Sequence, residues 1–137
     1  MNNSLQPNIW GPCGWKFIHY VSFGYPNNPT LNDKNFYKNF YYSLKDVLPC
    51  DKCKINYKKN IMEHPIDPHL ENKDSLVKWV IDIHNKVNKE TGKKEFNYEE
   101  AIALYTNQEE EKPILDYCFK IVVLLIILYF LYILLKK

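Results

Sequence analysis

The sequence predicts an all-α protein: a small four-helix bundle with a short fifth helix, followed by a C-terminal transmembrane helix. Three observations support this fold class. Apolar residues recur at helical spacing in segments that end at Pro or Gly. No segment alternates apolar and polar residues as a half-buried strand does. The last part of the chain, 121–135, is an unbroken apolar run of 15 residues.

The first two helices are predicted from their apolar faces and from the residues at their ends. The first spans 11–24 and is closed by Pro26. The second spans 33–48, with Asp33 as its cap and Pro49 just beyond its end. The side chains expected to face inward are Trp15, Ile18, Val21 and Phe23 in the first helix and Phe36, Phe40, Leu44 and Val47 in the second.

The third helix is expected to begin at the motif Cys50-x-x-Cys53 and to continue through Ile55 and Tyr57 to about Met62. Two prolines then force a loop. The thiol pair is therefore predicted to lie at a helix N-terminus.

A longer fourth helix is expected to start at Asp74 or Ser75 and to end before Gly92, which suits the C′ position. A short fifth helix follows, capped by Asn97 with Glu100 in the capping-box position. The core side chains predicted in the fourth helix are Leu76, Val77, Trp79, Val80, Ile83 and Val87.

These segments divide the chain into a folded domain over 1–108, an acidic linker over 109–113 and a transmembrane helix over 114–135. The last segment has 22 residues and a helical length of roughly 33 Å, close to the thickness of a hydrocarbon core. Lys120 can snorkel to one membrane surface, and the two terminal lysines can anchor the other. The alternative for this run is an apolar helix buried in an oligomer.

Composition narrows the function classes. The net charge is only +2, which gives no basis for nucleic-acid binding. All 18 basic residues are Lys, so bidentate recognition of a phosphate by Arg is excluded. Residues 1–10 contain neither the basic region nor the apolar core of a secretory signal. We therefore expect a single-pass C-terminal anchor with the folded domain facing the cytosol.

Cys50 and Cys53 carry the strongest chemical signal. An isolated CxxC favours redox or metal chemistry over structural cross-linking. At a helix N-terminus, the positive end of the helix dipole stabilises the thiolate, and Lys52 and Lys54 add positive charge nearby. The alternatives are two reduced cysteines that only pack, or a metal site.

A zinc site would add His64 and His69 to the two cysteines, giving the spacing C-x2-C-x10-H-x4-H. The intervening segment reads as one helix, whereas a zinc finger needs a hairpin before its helix. We therefore predict no metal ligands in this chain.

Two further pairs of residues have the chemistry to hold a planar ligand. Trp15 and His19 share one face of the first helix at i, i+4 spacing. His84 and Asn88 share a largely apolar face of the fourth helix, where buried polar groups need partners. The alternatives are core packing for the first pair and an interhelical hydrogen bond for the second.

The residues together resemble the Erv/ALR family of FAD-linked sulfhydryl oxidases, over about 9–106. Five motifs occur in the family's order, and the short form is similar to those encoded by large DNA viruses. The motifs are Trp10-Gly11-Pro12-x-x-Trp15-x-x-x-His19, Tyr25-Pro26, Pro49-Cys50-x-x-Cys53, Trp79-x-x-x-x-His84-Asn85-x-Val87-Asn88, and Gly92-Lys93 with Phe96.

The resemblance implies a helical bundle that binds FAD, forms homodimers and makes disulfides in substrate proteins while reducing oxygen to hydrogen peroxide. Cys53 would be the flavin-proximal thiol, and Cys50 would be attacked by the substrate thiolate. The substrate would be a thiol-containing protein, such as a small thioredoxin-like relay. The implied cofactor-binding residues are Gly11, Trp15, His19, Tyr25, Trp79, His84, Asn85, Val87, Asn88, Lys93 and Phe96.

The chain departs from the family pattern in three places. A disulfide that clips the long helix to the last one in many members would fall at Ile81 and Tyr98, so both partners are replaced together. A second, shuttle CxxC is absent from the sequence. Pro12 stands where the family has a basic residue that contacts FAD. The alternative function is a membrane-anchored helical binding module with structural zinc or a structural disulfide at Cys50 and Cys53.

Overall fold

The structure is a computed structural model that describes residues 5–106, 121–125, 127, 132, 135 and 136. The chain divides into two compact units, Met1–Tyr105 and Thr106–Lys137. These residues form no strand, which agrees with the all-α prediction. The helices are α1 (Pro7–Phe23), α2 (Leu31–Val47), α3 (Asp51–Glu63), α4 (Lys73–Glu90) and α5 (Tyr98–Thr106), with a 3₁₀ helix at Asp67–His69.

Three helices begin at residues other than those predicted. Helix α1 begins at Pro7 instead of residue 11, because proline suits the first helical position, and the caps of α2 and α4 also differ. The cap of α2 is Thr30, whose hydroxyl accepts the backbone N–H of Asp33 while the Asp33 carboxylate accepts the backbone N–H of Thr30. The cap of α4 is Asn72, whose side-chain oxygen accepts the backbone N–H of Ser75 at 2.9 Å. In both cases the predicted cap lies inside the helix, because an acidic or hydroxyl residue is equally favourable within the first turn.

The C-terminus of α4 and the N-terminus of α5 agree with the prediction. Gly92 follows α4 with a φ of +69°, the left-handed conformation that favours glycine at C′. At α5, the side-chain oxygen of Asn97 accepts the backbone N–H of Glu100 at 2.7 Å, and the Glu100 carboxylate accepts the backbone N–H of Asn97 at 3.4 Å. The predicted capping box is therefore formed.

The core of the first unit is organised around α4. This helix packs mainly against α1 and also contacts α3, while α2 packs on α3. The side chains of α4 that are almost fully enclosed are Leu76, Val77, Trp79, Val80, Ile81 and Ile83. The predicted inner face of α4 is thus confirmed, apart from Val87, which is only half-buried.

Two tyrosines tie three helices together and explain an error in the predicted face of α2. The Tyr41 hydroxyl donates to the Ile18 carbonyl oxygen, and the Tyr57 hydroxyl donates to the Tyr41 carbonyl oxygen, each at 3.1 Å. Because Tyr41 points inward, the predicted core residues Phe36 and Val47 are 69% and 66% exposed. Phe40 and Leu44, the other two residues of the predicted face, do pack against the core.

The inner face of α3 is formed by Tyr57, Asn60 and Ile61, whereas Ile55 is 69% exposed. The helix starts with its thiols turned inward, and Ile55 follows Cys53 by two residues, about 200° around the helix. That angle places it on the opposite side.

A small second cluster joins α4 to α5 where related proteins were expected to carry a disulfide. Ile81 is completely buried against Val77 and Ala101. The Tyr98 hydroxyl donates to the Asp82 carboxylate at 2.9 Å. An apolar contact and a hydrogen bond therefore connect the two helices at this point.

The unit Thr106–Lys137 is described only in part. Residues 121–125 are helical. The predicted linker over 109–113 lies outside the described residues. The same holds for 114–120 and for much of 126–135, both of which belong to the predicted transmembrane helix over 114–135. Within the residues that the structure does describe, no helix has both the length and the apolar character of a membrane span.

Candidate active site

Cys50 and Cys53 form a disulfide at the start of α3. Cys50 is the N-cap: its backbone is extended, and its Sγ accepts the backbone N–H of Cys53 at 3.2 Å. The Cys50 side chain is buried. The sequence prediction of a thiol pair at a helix N-terminus is therefore confirmed.

The helix itself contributes positive potential at these sulfurs. Unpaired backbone N–H groups and the dipole of α3 favour a negative charge at Cys50. Lys54, expected to add to this effect, forms an ion pair with Asp51 at 3.1 Å, which offsets its charge. When the disulfide opens, α3 therefore stabilises the thiolate of Cys50.

Cys53 faces a cavity of about 470 Å³. The cavity lies between the start of α1, the start of α3, the end of α4 and the loop that follows it, and the end of α5. Eight of the residues predicted as catalytic or cofactor-binding line its wall: Gly11, Trp15, Cys53, His84, Val87, Asn88, Lys93 and Phe96. Residues far apart in the sequence are thus brought together around one sulfur atom.

An aromatic stack forms one wall of the cavity. The rings of Trp15 and His84 are parallel within 5°, and their centroids lie 3.9 Å apart. The ring of Phe96 meets His84 edge-on at 5.4 Å. Flat π surfaces of this kind suit a planar ring system.

His19 supports this wall from behind and does not line the cavity. It is fully buried, its Nε2 lies 3.0 Å from Nδ1 of His84, and its ring stacks on Tyr105 at 4.0 Å. Burial, and secondarily the neighbouring His84, lowers the pKa of His19 to about 3. Burial, and secondarily the charge of Lys93, lowers the pKa of His84 to about 4. Both rings are therefore neutral at pH 7, and one donates its N–H to the other.

Three other predicted cofactor residues do not line the cavity. Tyr25 is buried in the core, and its hydroxyl donates to the Leu70 carbonyl oxygen at 2.9 Å. Trp79 is also in the core, and its Nε1 donates to the His64 carbonyl oxygen at 2.9 Å. Both side chains therefore brace the bundle instead of forming the cavity wall.

Asn85, the third, clamps the chain that follows α4. Its Nδ2 donates to the Phe96 carbonyl oxygen and its Oδ1 accepts the Phe96 backbone N–H, both at 2.8 Å. This pair of hydrogen bonds holds Phe96 against the cavity. Asn85 is thus a positioning residue for the cavity wall.

Sequence reasoning missed several lining residues, namely Pro7, Asn8, Trp10, Pro12, Ile18, Leu48, Tyr57, Thr91 and Tyr105. Trp10 and Pro12 flank Gly11 in the first family motif, and this position is the signal that points to them. Tyr105 follows the buried Ala101 by four residues, a helical spacing that indicates one face of α5. The other omitted residues carry no comparable signal.

The geometry argues against the zinc alternative. The two cysteines lie at the start of α3 and His64 lies just after its end, so the helix separates them by roughly 20 Å. His64 and His69 do approach each other, with ring centroids 4.9 Å apart. The four residues therefore cannot bind one ion.

The fold and the site together define a class of protein: a helical bundle with an exchangeable disulfide against an aromatic, cofactor-sized cavity. A family model for the Erv1/Alr family matches residues 12–109, and the chain belongs to this family.

The chain is similar to a probable FAD-linked sulfhydryl oxidase of Acanthamoeba polyphaga mimivirus, with 50% identity over 99 residues, 72% of this chain and 69% of that protein. It is 33% identical over 87 residues to the mitochondrial FAD-linked sulfhydryl oxidase of Saccharomyces cerevisiae, covering 64% of this chain and 45% of that protein. The crystal structure of the FAD-binding domain of Erv1 from the same yeast superposes with a TM-score of 0.69 at 28% identity, covering 75% of this chain and 96% of that one. The chain thus spans less than half of the yeast oxidase.

Proposed function

We propose that this protein is an FAD-linked sulfhydryl oxidase, which joins two thiols of a substrate into a disulfide and reduces oxygen to hydrogen peroxide. The main support for this proposal is the position of Cys53, which is bonded to Cys50 and forms part of the cavity wall. An exchangeable disulfide is thereby placed beside a site for a planar cofactor. Family membership and the named relatives support the same reaction.

The residues of the cavity fit FAD. Trp15 and His84 offer flat faces for a ring system. Further ring surfaces in the lining of the cavity come from Trp10, Phe96 and Tyr105. Lys93 supplies a cation for the phosphates as a point charge, which suits a chain without Arg. When bound, FAD accepts two electrons from the dithiol and passes them to oxygen.

The chain's own chemistry is thiol–disulfide exchange. A substrate thiolate attacks Sγ of Cys50, the bond between Cys50 and Cys53 breaks, and Cys53 leaves as a thiolate. The substrate's second thiolate then attacks the substrate sulfur of the mixed disulfide and releases Cys50 as a thiolate. The substrate has lost two electrons, and the protein has gained a dithiol. The N-terminus of α3 and the Cys53 N–H stabilise Cys50 as it leaves.

The neutral histidine pair keeps the cavity wall rigid without placing a positive charge inside it. An imidazolium at His84 would need a buried anion as its partner. The hydrogen bond to His19 satisfies the ring of His84 in its neutral form and fixes its plane against Trp15. The wall is therefore pre-formed for a stacked ligand.

We further propose that the substrate is a thiol-containing protein and that the oxidase works as a homodimer. In support of a dimer, Phe17 on α1 and Phe36 on α2 are 59% and 69% exposed. Phe17 meets Phe40 edge-on at 6.1 Å, so the apolar residues of the two helices adjoin. Exposed apolar patches of this kind mark interfaces. Sedimentation of a Phe17→Glu variant tests this: the variant should be monomeric where the parent is dimeric.

We also propose that residues 114–135 anchor the protein in a membrane and that the oxidase unit faces the cytosol, in a host cell or virion. The support is the apolar run with flanking lysines and the similarity to a mimivirus protein. Carbonate extraction of expressing cells should leave the full chain in the membrane pellet and release a chain that ends at residue 112.

The first test of the oxidase is a visible absorption spectrum of the purified full chain in detergent, with a zinc assay on the same sample. We expect flavin bands at about one FAD per chain, bleached by dithiothreitol under argon and restored by air. A colourless protein, or a flavin that dithiol does not reduce, would contradict the proposal.

A further inference from the structure

Cys50 is enclosed although the proposed reaction requires a substrate thiolate to reach its sulfur. Only 5% of the residue is exposed. Part of this enclosure is intrinsic to the fold, because Sγ is bonded to Cys53 and accepts the Cys53 N–H. A protein substrate needs more than a solvent-sized opening, so something beside Cys50 must give way.

The segment just before α1 contacts Pro49, the residue that precedes this cysteine. The backbone N–H of Leu5 donates to the carbonyl oxygen of Pro49 at 2.8 Å. Gln6 continues the segment in an extended conformation, with φ −66° and ψ 132°, before α1 begins at Pro7. Extended backbone at the start of the described chain therefore makes one hydrogen bond to the residue that immediately precedes Cys50.

This contact has the form of a peptide-docking interaction. Pro49 has no N–H to donate, so its carbonyl oxygen is the backbone group it offers to a neighbouring chain. Leu5 is 53% exposed, so packing covers only about half of it. A single backbone hydrogen bond changes an equilibrium by only about two- to tenfold. A competing main chain can therefore displace the segment.

We propose that Leu5 holds the position that the main chain of a protein substrate takes during attack on Cys50. The substrate is then an extended peptide segment in which a residue next to the attacking cysteine donates its N–H to the Pro49 carbonyl oxygen. This inference rests on the proposed thiol oxidation. It assigns a substrate-docking acceptor to Pro49 and an access-determining role to Leu5.

The covalent step is unchanged by docking. The substrate thiolate forms a bond to Cys50 Sγ, the Cys50–Cys53 bond breaks, and Cys53 takes the electron pair of that bond. The hydrogen bond to Pro49 only orients the attacking cysteine. Its effect is therefore expected in the half-saturating substrate concentration more than in the maximal rate.

The first test compares Leu5→Pro with Leu5→Ala in full-length protein from which FAD has been removed. Proline lacks the N–H that bonds to Pro49, whereas alanine keeps it. The rate of reduction of the Cys50–Cys53 disulfide by dithiothreitol is followed by alkylation and mass spectrometry of the peptide that contains both cysteines. We expect Leu5→Pro to react about fivefold faster than the parent and Leu5→Ala to stay within about twofold.

Equal rates for the two variants, or a slower Leu5→Pro, would overturn the access role. A chain lacking residues 1–5 serves as a second variant because Gln6 and all of α1 remain. It should also react about fivefold faster than the parent. A parental rate in this variant counts against the proposal in the same way.

The second test uses reduced Cys-x-x-Cys peptides as probes of the docking acceptor. One peptide is unmodified, and two carry a single N-methyl group on the residue before or after the first cysteine. We expect one of the methylated peptides to need an about two- to tenfold higher concentration for half-maximal reduction of the parent protein. If both methylated peptides match the unmodified one, the substrate does not dock on Pro49.

These tests separate the inference from the oxidase proposal. Disulfide exchange in FAD-free protein needs neither flavin nor oxygen. A protein that exchanges thiols normally but never binds or reduces FAD would refute the oxidase function and leave the docking result interpretable. A functional oxidase in which Leu5→Pro and the methylated peptides behave like their controls would refute the docking inference alone.

Discussion

Two pairs of histidines lie at opposite ends of α3, and they are built differently. Near its start, His19 and His84 are buried, with ring nitrogens 3.0 Å apart. After its end, His64 and His69 are partly exposed, and Nε2 of His64 lies 3.5 Å from the Asp82 carboxylate. The first pair stacks with aromatic rings beside a disulfide, whereas the second meets a carboxylate at the surface.

The difference teaches that enclosure, more than residue type, separates a ligand site from a surface contact. In the sequence, all four histidines were candidates for ligand binding: His19 and His84 for a planar ligand, and His64 with His69 for zinc. At the first, aromatic planes and burial keep the imidazoles neutral and define a cavity wall. At the second, solvent supplies alternative partners, and a carboxylate that is itself partly exposed adds little stability.

The largest expected effect is the loss of thiol oxidation when Cys53 is replaced and the disulfide can no longer form. Cys53→Ser should retain FAD, because the cavity wall loses only a sulfur atom, but should oxidise dithiols at least ~10³-fold more slowly. Oxygen consumption with dithiothreitol measures the rate, and absorbance measures the flavin. The exposed Cys13, changed to Ser, is the matched control and should leave the rate within about twofold. Substantial oxidation by Cys53→Ser would refute the exchange mechanism.

A second prediction contrasts the two histidine pairs directly. His84→Ala removes one layer of the stacked wall and should weaken FAD binding by about 1–3 kcal/mol, roughly 5- to 150-fold in Kd. His69→Ala, at the other end of α3, should leave the Kd within about twofold. Flavin fluorescence titration of the FAD-free proteins gives both constants. Equal losses in the two variants would mean that the His84 wall is not the binding surface.

The buried pair should also make stability depend on pH. Because the folded pKa values of His19 and His84 are about 3 and about 4, below the usual value for His, the unfolded chain binds more protons in acid. The free energy of unfolding should therefore fall as pH drops from about 6.5 towards 4. His19→Gln should reduce this slope by up to about 1.4 kcal/mol per pH unit.

Urea unfolding of the FAD-free protein between pH 4 and 7 measures that slope. Asn39→Gln, an exposed substitution on α2, is the control and should keep the parental slope. An identical slope in His19→Gln would show that burial does not hold His19 neutral.

The smallest effect is expected at Asn85, whose two hydrogen bonds to the Phe96 backbone hold the loop that follows α4. Asn85→Asp can still accept the Phe96 N–H but cannot donate to the Phe96 carbonyl oxygen. We expect FAD affinity to fall by about 1 kcal/mol, roughly fivefold, while bound flavin is reduced at the parental rate. Asn35→Asp, exposed on α2, should change neither quantity. A slower reduction step with normal affinity would place Asn85 in the chemistry instead of in positioning.

The elements that were predicted well depend on local interactions. The inner face of α4, the glycine after it and the capping box of α5 all follow from residues within one or two turns. The face of α2 was predicted only in part. Phe40 and Leu44 pack against the core, but Phe36 and Val47 are exposed because Tyr41 turns inward to a backbone acceptor on α1. Local pattern alone could not reveal that long-range hydrogen bond.

The site shows the same division. The thiol pair at the start of α3 and about half of the residues of the cavity wall were predicted from motifs. Tyr25, Trp79 and Asn85 belong to those motifs too, but their polar atoms bind backbone groups of other segments. A motif identifies a residue as important without stating which way its side chain points.

The sequence by itself determined the helical class, the cysteine pair at a helix N-terminus and the absence of any Arg for phosphates. Only the tertiary structure decided which ring faces the cavity, which supports it from behind, and that both imidazoles are neutral. The physical reason is distance along the chain: His19 and His84 are 65 residues apart, and their burial and hydrogen bond exist only once α1 packs on α4.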